Sequence, residues 1–143
     1  MSLPPPRLET PRLHLRTRTL GDLDTIVAMD TDEEIRRYIG GPLDPIWHAA
    51  LVRRNIVGGR PPSHPAWTIE WKDRPGFLGM CALNASHLPE VTEISWQLLR
   101  ISWGRCIATE ATGEAYFKGT RQLNLPPAGL MAPATLSQGP NCP

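Results

Sequence analysis

The residues best suited to chemistry lie between Glu93 and Ala111, in the run EISWQLLRISWGRCIATEA. It reads as an alternating strand, a tight turn around Gly104 and the start of a helix. Ile94, Trp96 and Leu98 fall on one strand face, and Glu93, Ser95 and Gln97 on the other. A helix that begins at such a turn points unpaired backbone N–H groups and its positive dipole end at whatever lies before it, which makes a site for phosphate or another anion. Gly104 allows close approach to the main chain. The glycine spacing and Lys-Ser/Thr pair of a Walker A loop are missing, as is the GxGxxG of a dinucleotide fold. Each side chain also has a plainer reading. Glu93 is then the solvent-facing carboxylate of an alternating strand, and Arg105 is solvated rather than paired with an anion. Cys106 is either a thiol activated by the helix start or a small filler. Glu110 steadies the first helical turn, an effect of about 0.3 to 1 kcal/mol, and Trp96 and Trp103 are core or wall. His14, His48, His64 and His87 are scattered and receive no role.

Several elements must position this run. Residues 12–16 alternate like a half-buried strand. Helices are expected over 19–30, behind Thr19 and the acidic Asp22 and Asp24, then over 32–39 and 45–57. Residues 66–71 and 77–84 read as strands joined by a turn centred on Pro75-Gly76. The strand over 92–99 leads into the turn, and a helix over 107–123 follows it, with Gly113 and Gly119 each costing about 1 kcal/mol relative to Ala. Asn124 suits a left-handed cap.

The 143 residues are enough for one domain with a real core, and 41% hydrophobic and 20% charged content is ordinary for a globular chain. A net charge of +1 without a dense basic run argues against nucleic acid as a partner. No stretch has the apolar length of a signal core or a bilayer span, so the expected location is the cytoplasm, with no membrane partner. Cys81, Cys106 and Cys142 contain no CxxC pair, and no metal site is expected. From residue 122 onward there is no Asp, Glu, Lys or Arg, while Pro recurs at 126, 127, 133, 140 and 143. The expected division is therefore a domain over 1–125 and an irregular or disordered Pro-rich tail over 126–143.

The run WGRCIATEA after EISWQLL resembles the coenzyme A binding stretch of GNAT acetyltransferases, in the branch that includes ribosomal-protein N-acetyltransferases. LETPRLHLR at 8–16, GDLD at 21–24, EEIRRYIGGP at 33–42, AWTIEW at 66–71 and GFLGMCAL at 76–83 are similar to the same branch, in the same order. The resemblance implies an α+β fold with a mixed, strongly bent sheet, the GNAT-like acyl-CoA N-acyltransferase fold, incomplete at the C-terminus. It implies acetyl-CoA as cosubstrate, its pyrophosphate on the amides of Gly104, Arg105, Cys106, Ile107 and Ala108, with Thr109 in the same turn, and its pantetheine along Leu98 and Leu99. Glu93 would take the proton of the attacking amine, directly or through a water. The acceptor would be a primary amine, of a small molecule or a protein N-terminus.

The sequence departs from the family pattern in four places. Cys106 stands where a second Gly is usual, Arg100 where Pro is common, and Ser95 replaces a usual Gly. After Leu125, LPPAGLMAPATLSQGPNCP replaces the expected strand, Asn-containing loop and helix, as a truncated or frame-shifted product or a diverged paralogue would. Proline at 126, 127 and 133 removes ladder donors, so the strand over 92–99 is expected to keep an open edge that lowers stability or favours a homodimer. Two functions follow: an N-acetyltransferase, or a catalytically inactive remnant that binds coenzyme A weakly or serves as an interaction module.

Overall fold

The computed structural model describes residues 4–37, 39–60, 64–85, 91–123 and 128–129. Two short N-terminal strands, β1 (Leu8–Glu9) and β2 (Leu13–Thr17), pair antiparallel, Leu8 opposite Leu15. A 3-10 turn at Leu20–Asp22 leads into α1 (Leu23–Asp30), followed by α2 (Glu33–Arg36) and α3 (Pro45–Gly58). Strands β3 (Ala66–Trp71), β4 (Gly79–Ala85) and β5 (Thr92–Leu98) come next. After a second 3-10 turn at Arg100–Ser102, α4 (Ile107–Glu114) runs through a π-helical turn at Ala115–Gly119 into α5 (Thr120–Leu123). The last element described is β6 (Ala128–Gly129).

The sheet order is β1-β2-β3-β4-β5-β6, antiparallel throughout except for the parallel β5/β6 pair. This is the expected mixed sheet of an α+β fold. Alternation along the strands divides its two faces. Leu13, Leu15, Trp67, Ile69, Cys81, Leu83, Ile94 and Leu98 form one core with Ile107, Ala111 and Ala115 of the α4 segment. On the opposite face Arg16, Thr68 and Gln97 bond to Asp22 and Asp30, which fastens the α1 side of the molecule to the sheet.

Local chemistry sets the helix starts. Asp32 accepts from the amides of Glu34 and Ile35 to begin α2, and Asp44 accepts from Trp47 to begin α3 behind Pro45. Thr19 N–H donates to Asp22 Oδ2 at 2.9 Å, which fixes the entry to α1.

The expected tail falls outside the described residues except for Ala128 and Gly129. These two pair with Thr92 and Glu93, so the edge of β5 that was expected to lack a neighbour has one at its first two residues. Both retain the amide that the preceding prolines lack. Among the described residues, no helix is long and apolar enough to cross a membrane.

Candidate functional site

The turn before α4 takes its shape from two residues in the left-handed region, Gly104 at φ 77° and Cys106 at φ 60°. A Cβ built on Gly104 meets nothing within 4 Å, so glycine serves the backbone angle there rather than close packing. Cys106 is the one non-glycine residue with positive φ among those described, which explains why glycine is favoured at its position. It occupies the N-cap of α4 but makes no side-chain cap bond. Glu110 N–H is the first amide to close the helix, onto the Cys106 carbonyl at 3.2 Å. The amides of Ile107, Ala108 and Thr109 therefore precede the helical ladder.

Glu110 sits in this first turn without opposing an anion in front of it. Its Oε2 accepts from the Thr10 hydroxyl and the Arg12 amide, and its Oε1 accepts from Arg12 Nε at 2.7 Å. Burial opposes its ionisation, but the bonds from Thr10 and Arg12 outweigh burial and hold its pKa below the ordinary value. Arg12 also donates from Nη2 to the Arg105 carbonyl at 3.0 Å, so one arginine on the β1–β2 connection holds both the turn and the helix. Sequence reading assigned Glu110 to the helix start and left Arg12 without a role. Their contact spans 98 positions, which no local pattern can reveal.

Strand β5 supplies the second wall. The Leu99 amide donates to the Leu78 carbonyl at 3.0 Å, toward β4. Antiparallel alternation then turns the amides of Ile94, Trp96 and Leu98 to the opposite edge. Among the described residues no strand pairs with that edge beyond Glu93. The Leu98 side chain is fully buried, and its carbonyl accepts from Trp103 Nε1 at 3.1 Å, which braces the turn. Of the other residues named from the sequence, Gly104, Arg105 and Thr109 are exposed, Leu99, Cys106 and Ala108 are half-buried, and the Ile107 side chain is in the core. The structure thus brings Leu98, Leu99 and the 104–109 turn together.

Glu93 lies apart from that turn, half-buried at the far end of β5 and opposite Asn84. It shares a face with Ser95 and Gln97. Those two residues line a cavity of about 310 Å³ whose wall also includes Asp30, Arg36, His48, Met80, Trp96 and the apolar Ile39 and Leu43. Buried Asp30 accepts from His48 Nε2 at 2.5 Å and from Gln97 Nε2 at 2.6 Å. Gln97 Oε1 faces Arg36 Nη1 at 3.5 Å. His48 Nδ1 and Trp96 Nε1 are buried without a hydrogen-bond partner among the described residues. Cys81, on the cavity's sheet wall, has its thiol pushed up to about 12 by burial, as suits a core residue. The Asp30–His48 pair was missed in the sequence, where His48 looks like a lone histidine on an amphipathic helix. Asp44, as the cap of α3, is the local signal that fixes where His48 falls on it.

A family model described as an acetyltransferase (GNAT) domain matches residues 12–134. An acetyltransferase of the GNAT family from Bacillus anthracis superposes with a TM-score of 0.69 at 16% identity, covering 84% of this chain and 69% of that one. An acetyltransferase from Agrobacterium tumefaciens gives 0.68 at 24% identity, covering 88% and 73%. A spermidine N-acetyltransferase from Vibrio cholerae, solved with CoA and spermine, gives 0.65 at 19% identity, covering 79% of this chain and 66% of that one. At these identities the likeness is one of fold.

Proposed function

The chain belongs to the GNAT acetyltransferase family, and from that premise we propose that it moves the acetyl group of acetyl-CoA to a primary amine by direct attack. The observation that carries this reading is the meeting of the α4 amides that precede the helical ladder, Ile107 to Thr109, with an edge of β5 that has no strand partner beyond Glu93 among the described residues. Amides at a helix start suit a pyrophosphate, and a strand edge suits the amide-bearing pantetheine arm. The residues present fit such a cosubstrate: Gly104 leaves the main chain bare, Glu110 is already neutralised by Arg12, and the Trp96 indole N–H on the same strand has no partner among the described residues.

Gly104, Arg105, Cys106, Ile107, Ala108 and Thr109 would hold the pyrophosphate, and Leu98 and Leu99 would border the pantetheine. Because the Leu99 amide is bonded to Leu78, the outward amides of Trp96 and Leu98 are the ones free to face a thioester oxygen. Acetyl-CoA supplies an activated acyl group. The amine forms the new C–N bond, the C–S bond breaks, the amine gives up one proton, and the departing thiolate takes one up. Glu93 receives the amine's proton through water, since it stands beside the cavity rather than among its lining residues. The acceptor enters through the cavity at Asp30 and Gln97.

A thiol-release assay with acetyl-CoA and a panel of small amines and peptide N-termini tests the activity. Calorimetry with coenzyme A tests the site. Gly104→Asp puts bulk and negative charge in front of the free amides, and it should weaken binding at least tenfold. Equal affinities in the two proteins would place the cosubstrate elsewhere.

A further inference from the structure

The cavity on the α1 side of β5 has a charge pattern that a plain amine does not need. Asp30 is a buried carboxylate whose side chain, among the described residues, bonds to His48 and Gln97, neither of them an arginine or lysine. His48 Nδ1 is buried without a hydrogen-bond partner among the described residues. Neither neighbour is a guanidinium or ammonium bonded to Asp30, although the charge of Arg18 also reaches the carboxylate. Arg36 lines the same cavity, with Nε anchored on the Gly41 carbonyl at 2.9 Å. Gln97 lies between the two charges, its amide nitrogen on Asp30 and its oxygen toward Arg36. The remaining wall is largely apolar, with Ile39, Leu43, Met80 and Ala82.

The geometry points to a small zwitterionic acceptor with an apolar side chain: a free α-amino acid whose ammonium rests on Asp30 and whose carboxylate faces Arg36. This inference rests on the acetyltransferase reading and names its acceptor class. An α-amino acid carries its two charges a few bonds apart, matching an Asp and an Arg separated by one glutamine amide. A polyamine would place a second cation against Arg36. A peptide N-terminus has no carboxylate beside its amine. The volume is at the small end for ligand pockets, as a single amino acid requires. Tying α1 to α3 explains the Asp30–His48 contact, but it explains neither the cavity nor the arginine across it.

L-leucine, L-leucine methyl ester and isoamylamine share one side chain and differ only at the carboxylate, so they isolate its effect. Wild type should bind L-leucine, measured by calorimetry on the full chain, about tenfold to a hundredfold more tightly than either analogue, as expected for a charge-assisted contact. The ratio of kcat/KM values should follow. Arg36→Gln should bring the leucine-to-isoamylamine ratio close to one, whereas a purely structural defect would lower both and preserve the ratio. Asp30→Asn should weaken all three. Equal binding of leucine and isoamylamine by wild type overturns the inference, and acetylation of both at similar rates would do so while leaving the acetyltransferase reading intact. Selective leucine binding with no thiol release from any amine would have the reverse meaning: the pocket assignment stands and the transferase reading fails.

Discussion

Glu110→Gln isolates the tether between α4 and the N-terminal strands, because it preserves shape while removing charge. The glutamate accepts three bonds, from the Thr10 hydroxyl, the Arg12 amide and Arg12 Nε. Glutamine has only one oxygen, so its amide nitrogen must face at least one donor. Arg12 is 43% exposed and Glu110 20% exposed, so the ion pair itself counts near the modest value of surface pairs. Most of the loss comes from the part-buried donors left unpaired, and a smaller part from removing an acid in a first helical turn. The sum is about 2 kcal/mol, which for a chain of this size moves a urea midpoint by about 1 M. The pH dependence follows from the lowered pKa of Glu110. A depressed carboxylate stabilises the fold above its unfolded pKa, and that contribution disappears as pH falls through the folded value. The difference between wild type and variant should therefore be full at pH 7 and shrink below about pH 4. Urea denaturation at pH 7 and pH 3 measures it. A difference below about 0.5 kcal/mol at pH 7, or one that does not change with pH, would refute the tether as a charged hydrogen-bonded clamp.

Three further substitutions probe other parts of the molecule. Gly79→Ala should destabilise the chain by about 3 kcal/mol or prevent folding, because its Cβ would lie 2.3 Å from the Gln97 carbonyl oxygen and 2.8 Å from Leu98 Cα; thermal melts read this, and an unchanged Tm contradicts it. Burial works against ionisation of Glu70, but bonds from Arg16, His14 and the Gly76 amide take its pKa to about 2. Glu70→Gln should therefore cost about 2 to 3 kcal/mol at neutral pH, with wild type losing that advantage as pH falls from about 4.5 toward 2. Glu93→Gln should lower kcat about 100-fold while leaving coenzyme A affinity unchanged, and an unaltered kcat would remove Glu93 as the proton acceptor.

Most of the scaffold was legible from local pattern, since alternation marks β3 and β5 and helical spacing with a Pro at its start marks α3. Strand β1 was missed because two residues carry no period. The 3-10 turn at Arg100–Ser102 was missed because its register depends on Ser102, whose amide bonds the Leu99 carbonyl and whose hydroxyl bonds the Leu78 carbonyl. The turn at Gly104 could be read, since a glycine between a strand and a helix has few other uses. The cavity at Asp30 and Gln97 could not be read. Asp30, His48 and Gln97 come from three elements, and the contacts of Asp30 span 18 and 67 positions. What joins them is tertiary packing of α1 and α3 over β5, which leaves no spacing in the chain.

The backbone at Cys106 bears on which function the fold serves. A non-glycine residue held at φ 60° costs about 1 to 2 kcal/mol relative to the ordinary right-handed region. Such strain persists only where the surrounding structure enforces it, and here Arg12 holds the Arg105 carbonyl while Glu110 holds Arg12. Two left-handed residues within three positions curl the main chain, and the concave side of such a curl gathers N–H groups into an anion-binding hollow.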